Sequence, residues 1–170
     1  MLIKHTNSYK PDSSIKIMER QEATLQGDNY SGRFSATQEQ KEFWAGSEYT
    51  EHLEDNYRWQ GVGIIEHLQT GEAHRFLLST EWNPYGREKG LVECLVRIKG
   101  EWPNTRPNTR MVNQKSVYDL LLGQMYEDAR EGEKSEIIPK VSPKPLPYGE
   151  LLDRGLVTDE SGKIMIPMKA

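Results

Sequence analysis

Gly61-Val-Gly-Ile-Ile-Glu-His-Leu68, then Gln69-Thr70-Gly71, then Glu72-Ala-His-Arg-Phe-Leu-Leu78 stand in succession near the middle of the chain. Two apolar-rich runs separated by a short segment ending in glycine form a β-hairpin signature. Glycine supplies the left-handed position that closes a three-residue loop. With that loop Glu66 faces His74, and Val62, Ile64 and Leu68 share a face with Phe76 and Leu78. A slip of one residue would present the opposite set of side chains, so loop length decides which face is buried. A two-residue loop would pair His67 with His74 instead.

Working downstream, Leu91 to Lys99 alternates: Val92, Cys94, Val96 and Ile98 point one way, Glu93, Arg97 and Lys99 the other. The pattern predicts a third strand, reached through an Asn83-Pro-Tyr-Gly86 turn, and residues 109–113 offer a fourth. Ser116, followed three residues later by Asp119, opens a helix by the capping-box pattern. Tyr118, Leu121, Leu122, Met125 and Ala129 place an apolar stripe along it, and Gly132 is a natural stop.

Upstream, Thr37 with Gln40 also fits a capping box, which predicts a helix over 38–45 anchored by Phe43 and Trp44. Residues 46–60 could extend it as a second short helix through Tyr49, Leu53 and Tyr57. Residues 1–36 read as a polar N-terminal arm with at most one edge strand, over 14–18. Past the main helix, Pro139, Pro143, Pro145 and Pro147 favour an extended spacer, and Leu151 to Pro167 suggests a small hairpin tail. The expected fold is therefore α+β. An antiparallel β-meander of three to four strands is covered by one amphipathic helix within a core of residues 37–136, flanked by an arm (1–36) and a proline-spaced tail (137–170).

The chain of 170 residues is 35% hydrophobic and 28% charged, a composition and length that suit one domain with its own core. No apolar run approaches the roughly 20 residues of a membrane-spanning helix. The opening residues, polar after the first three, lack a secretory apolar stretch. One cysteine, Cys94, excludes a disulfide framework or a multi-thiolate zinc site, and the expected location is the cytoplasm. Net charge is −4, but unevenly spread. Residues 36–60 hold six acidic against two basic groups, and so do residues 116–136. These segments read either as solvated helix faces or as an acidic surface for a basic partner.

No set of motifs typical of a known family stands in the chain, and the candidate chemistry is sparse. His5, His52, His67 and His74 show no metal-ligand spacing, and no cofactor or metal is expected. Glu66 beside His74 would be the simplest carboxylate–imidazole base, but equally a plain cross-strand contact. Cys94, between Val92 and Val96, reads as a buried thiol of raised pKa. From Trp82 to Lys115 seven basic residues stand against three acidic ones, with aromatics interleaved. Trp82, Tyr85, Arg87, Lys89, Trp102, Arg106 and Arg110 would suit single-stranded nucleic acid, with cations along the backbone and ring faces for bases. In the tail, Leu151, Leu152, Ile164 and Ile166 need burial, on the domain or on a partner. The expected function is a small non-enzymatic binding or adaptor protein acting through protein contacts. Single-stranded nucleic-acid binding through 82–115 and a hydrolase built on Glu66 and His74 are the alternatives.

Overall fold

A computed structural model describes residues 14–99 and 114–153, except the side chain of Leu152. The fold is α+β: a mostly antiparallel sheet with one long helix laid across it. Four strands, β1 (Lys16–Gln26), β2 (Tyr30–Ala45), β3 (His52–His67) and β4 (Ala73–Ser79), form a meander of sequential antiparallel neighbours. After β4 come a short helix α1 (Leu91–Leu95), the two-residue strand β5 (Ile98–Lys99) and the long helix α2 (Gln114–Glu133). Strands β6 (Lys140–Val141) and β7 (Leu146–Pro147) and helix α3 (Tyr148–Asp153) follow. β6 joins the sheet parallel to β4, giving the order β1-β2-β3-β4-β6, and β7 pairs in parallel with β5. Among the described residues no helix is long and apolar enough to cross a membrane.

The core lies between one sheet face and α2. Val117, Leu121, Leu122, Met125 and Ala129 of α2 are buried against Leu25, Phe34, Trp59, Ile65, Phe76 and Leu78 of the sheet. Each buried aliphatic or aromatic side chain of this size contributes about 1.5–3 kcal/mol. The expected helical stripe is thus the stripe that is buried, with Tyr118 packed at its margin. Gly61 and Gly63 of β3 lie under this core. A Cβ on Gly63 would come within 2.7 Å of the Phe76 ring, and one on Gly61 would meet the backbone of Ser35 and Ala36. Gly63 thus leaves the room that the Phe76 ring fills.

Several expectations change. Residues 37–45 form the second half of β2, not a helix, and 52–60 belong to β3. The Thr37/Gln40 pair is two strand residues on opposite faces. Residues 16–36, expected within a polar arm, form β1 and the first half of β2. The 61–78 hairpin is present, but its loop has four residues: His67 N donates to Glu72 O and Gly71 N to His67 O, both at 2.8 Å, with Gly71 at φ 74°. That extra residue shifts the register so that Ile65 pairs with His74 and Glu66 with Ala73. Ile65 is fully buried while Val62 is 53% exposed, the reverse of the expected face on β3, whereas Phe76 and Leu78 of β4 are buried. Over 91–95 a helix replaces most of the expected strand, of which only Ile98–Lys99 is extended, because Leu91, Cys94 and Leu95 bury the i, i+3, i+4 face of a single turn.

The proline-rich segment returns to the body rather than standing clear of it. Leu77 N donates to Pro139 O at 2.8 Å and Leu146 N to Arg97 O at 2.7 Å. Val141, Leu146, Tyr148 and Leu151 are buried in the main core, and 148–153 is helical where the tail hairpin was expected to begin. The fourth strand expected over 109–113 and the rest of the tail hairpin lie outside the described residues.

Candidate functional site

β2 and β3 are each 16 residues long, whereas β1 has 11 and β4 has 7. β1 pairs with β2 only as far as Gln40, and β4 with β3 only as far as Gln60. Rows Lys41↔Asn56 to Ala45↔His52 are therefore flanked by no further named strand among the described residues. At about 3.4 Å per residue these rows carry the hairpin roughly 17 Å past the end of β1. The turn at its tip is built by hydrogen bonds. Gly46 takes φ 102°, Thr50 N donates to Ser47 O at 3.0 Å, and the Ser47 and Thr50 hydroxyls are 3.0 Å apart. His52 Nδ1 donates to Thr50 O at 3.0 Å.

One face of the arm is anchored at its base. Arg58 Nε donates to Glu39 Oε1 at 2.8 Å, and the guanidinium lies 4.5 Å from the centre of the Trp82 ring. Phe43 meets the edge of the same indole at 5.4 Å. Asn83 exchanges two backbone hydrogen bonds with Tyr57, both 2.9 Å, so the 80–90 loop braces β3 where β4 ends. Gln38, itself buried, donates from Nε2 to Gly86 O at 2.9 Å and ties the loop to β2.

The other face is open. Trp44 and Leu53 are direct cross-strand partners, 70% and 51% exposed, and Tyr49 in the turn is 87% exposed. Trp44 and Leu53 share the sheet face that α2 covers nearer the body, since side chains at even β2 and odd β3 positions alternate onto it. Two rows toward the body, on the same face, Glu42 faces Asp55, a like-charge pair of a kind that weakens a sheet. Residues 42–55 contain five carboxylates and no lysine or arginine.

A second polar constellation joins the sheet to the end of α2. His74 is buried, its Nδ1 donating to Glu133 at 2.6 Å and its Nε2 to Glu72 at 2.7 Å. Tyr126 Oη donates to the same Glu72 oxygen at 2.6 Å. Both ring nitrogens can donate only when the imidazole carries two protons. Burial works against that charge, but the hydrogen bonds and charges of Glu72 and Glu133 outweigh it, and the His74 pKa is raised. Glu72 is lowered by its hydrogen bonds from Tyr126 and His74. Burial, with the Glu72 carboxylate, pushes the Tyr126 phenol up to about 12. A cleft of about 790 Å³ between α2 and the 144–147 segment is lined by Tyr30, Asp119, Glu127, Lys144 and Pro147 among others.

The predicted site residues separate. Glu66 is exposed on the sheet face away from α2, while His74 lies beneath the helix, so the proposed acid–base pair does not form. Trp82 is half-buried under Arg58, whereas Tyr85, Arg87 and Lys89 are exposed on one loop. Trp102, Arg106, Arg110, Ile164 and Ile166 lie outside the described residues. Leu151 is fully buried in the chain's own core and offers no surface. Cys94 is buried as expected, on α1 rather than a strand, and burial raises its thiol pKa. The carboxylate partners of His74 and the projecting arm were both missed. The acidic run over 36–60 was the available signal, which reads as a solvated helix face or as an acidic surface for a basic partner and in neither case as a hairpin. Among the described residues no group of three or more His, Cys, Asp or Glu side chains is arranged to hold a metal ion.

Comparison with family models, with curated proteins and with solved structures finds no match to this chain.

Proposed function

We propose that this chain is a non-enzymatic binding or adaptor protein whose β2–β3 arm docks onto a protein partner. The exposed Trp44–Leu53 pair carries the reading: two large apolar side chains sit side by side on a braced hairpin that projects beyond the sheet. Exposed apolar patches on a polar surface are a common mark of interaction sites, and tryptophan is enriched among residues that dominate binding energy. The turn's hydrogen bonds keep the arm in one shape, which lowers the entropy lost on docking.

Photo-crosslinking from position 49, with Tyr49 replaced by a photoreactive phenylalanine, tests this in source cells. Defined protein adducts that vanish when Trp44→Ala and Leu53→Ala are combined are expected. Adducts unchanged by that double variant would overturn it. A second reading, single-stranded nucleic-acid binding, is favoured by the exposure of Tyr85, Arg87 and Lys89 on one loop. It predicts retention on a labelled oligonucleotide that falls with salt and with Arg87→Ala/Lys89→Ala.

A further inference from the structure

Resting on the docking role proposed above, we infer that the arm's partner is a basic protein surface that seats Trp44 and Leu53 in an apolar recess rimmed by arginine or lysine. The argument is charge complementarity around a defined apolar patch. Trp44, Leu53 and Tyr49 supply the apolar contacts. Glu42 and Asp55 share the face of Trp44 and Leu53, Glu48 and Glu51 stand at the turn and Glu54 lies on the opposite face, five negative charges against one lysine on the arm, Lys41, with His52 Nε2 3.7 Å from Glu54. The screening length at physiological salt is about 8 Å, so a group that approaches Trp44 and Leu53 feels chiefly the carboxylates nearest them, the Glu42–Asp55 pair first.

Phosphate-bearing surfaces, whether nucleic acid or anionic lipid, are repelled by that field. A neutral apolar groove would cover Trp44 but desolvate carboxylates with nothing in return. A basic rim resolves both difficulties. It also accounts for Glu42 facing Asp55: an incoming guanidinium between two opposed carboxylates turns a repulsive row into a bridged one. The pair costs the free protein a little and favours the complex, which is how specificity against wrong partners is commonly built.

The test is selection of random 12-residue peptides displayed on phage against the immobilised full chain, with the Trp44→Ala/Leu53→Ala chain as counter-target. Winners rich in arginine or lysine beside aliphatic residues are expected. Synthetic copies should bind about tenfold more weakly to the double variant. Glu42→Gln and Asp55→Asn should each weaken binding by about two- to fivefold, and added salt should weaken it further. Arm-dependent winners that are neutral or acidic, or whose affinity ignores salt and both neutralising variants, would overturn the basic partner and leave the docking role standing. Winners that bind wild type and double variant alike, or no winners at all, would overturn both. Retained far-UV circular dichroism and melting temperature establish that the exposed-arm variants are folded.

Discussion

Asp119 holds Asn29 twice, accepting from its backbone amide at 3.0 Å and from its side-chain amide at 3.1 Å, across 90 positions of sequence. The same carboxylate also accepts from the backbone amides of Asp28 and Tyr30. Three successive N–H groups of the β1–β2 turn thus converge on one side chain from the second turn of α2. The sequence pattern suggested that Asp119 caps its own helix. It fastens a distant turn instead.

Replacing Asp119 by Ala leaves that turn without its acceptor, and a loss of about 1–3 kcal/mol in unfolding free energy is expected. Gly27→Ala should be comparably harmful for a complementary reason, because its Cβ would run into the Asp119 carboxylate. Urea unfolding of both variants and of the double variant checks this. Since both damage one contact, the combined loss should be less than the two losses added.

Stability should depend on pH through His74. Its pKa is raised by Glu72 and Glu133, so its contribution is complete below the ordinary value of 6.5 and is lost as pH rises through the folded value. Glu72 acts in the opposite sense. Its pKa is lowered, so its contribution is present above 4.5 and is lost as pH falls through the folded value. The cluster is therefore most stabilising between about 4.5 and 6.5. Melting temperature followed across pH should fall more steeply above that window in the wild type than in His74→Gln.

Gly63→Ala should cost about 1–3 kcal/mol by forcing the Phe76 and Phe34 rings aside. Pairing it with Phe76→Leu should recover part of the loss, since the smaller side chain makes room. Denaturant midpoints of the two single variants and their combination decide the point.

Trp44→Ala and Leu53→Ala should each change unfolding free energy by no more than about 0.5 kcal/mol, because neither side chain belongs to the core. Chemical denaturation measures it directly. A large loss would mean that the open face of the arm is covered in solution.

What could be read from the sequence follows how much each element announces itself. Helix α2 was legible because Tyr118, Leu121, Leu122, Met125 and Ala129 repeat over about three turns. The 61–78 hairpin was legible from its glycine and paired apolar runs, yet one loop residue reversed the face of its first strand, while Phe76 and Leu78 of the second are buried. β2 was hidden because its buried positions are Gly32, Phe34, Ala36 and Gln38, which hardly alternate in hydrophobicity. In Leu91–Leu95, alternation and helical spacing coexist in the same letters, and only burial against the core separates them. The candidate arm was invisible for another reason. Glu42 opposite Asp55 and Trp44 opposite Leu53 become neighbours only once two long strands pair, and local patterns do not report strand length.

The meander is finished at Ser79, while the helix that covers its apolar face ends at Glu133, more than fifty residues later. During synthesis at about 5–20 residues per second, the sheet stands uncovered for roughly 3–10 s before its lid has emerged. Phe34, Trp59, Phe76 and Leu78 face water throughout that interval, on a nascent chain still tethered to the ribosome. Production of this protein should therefore depend on chaperone supply and translation speed more than its finished stability would suggest.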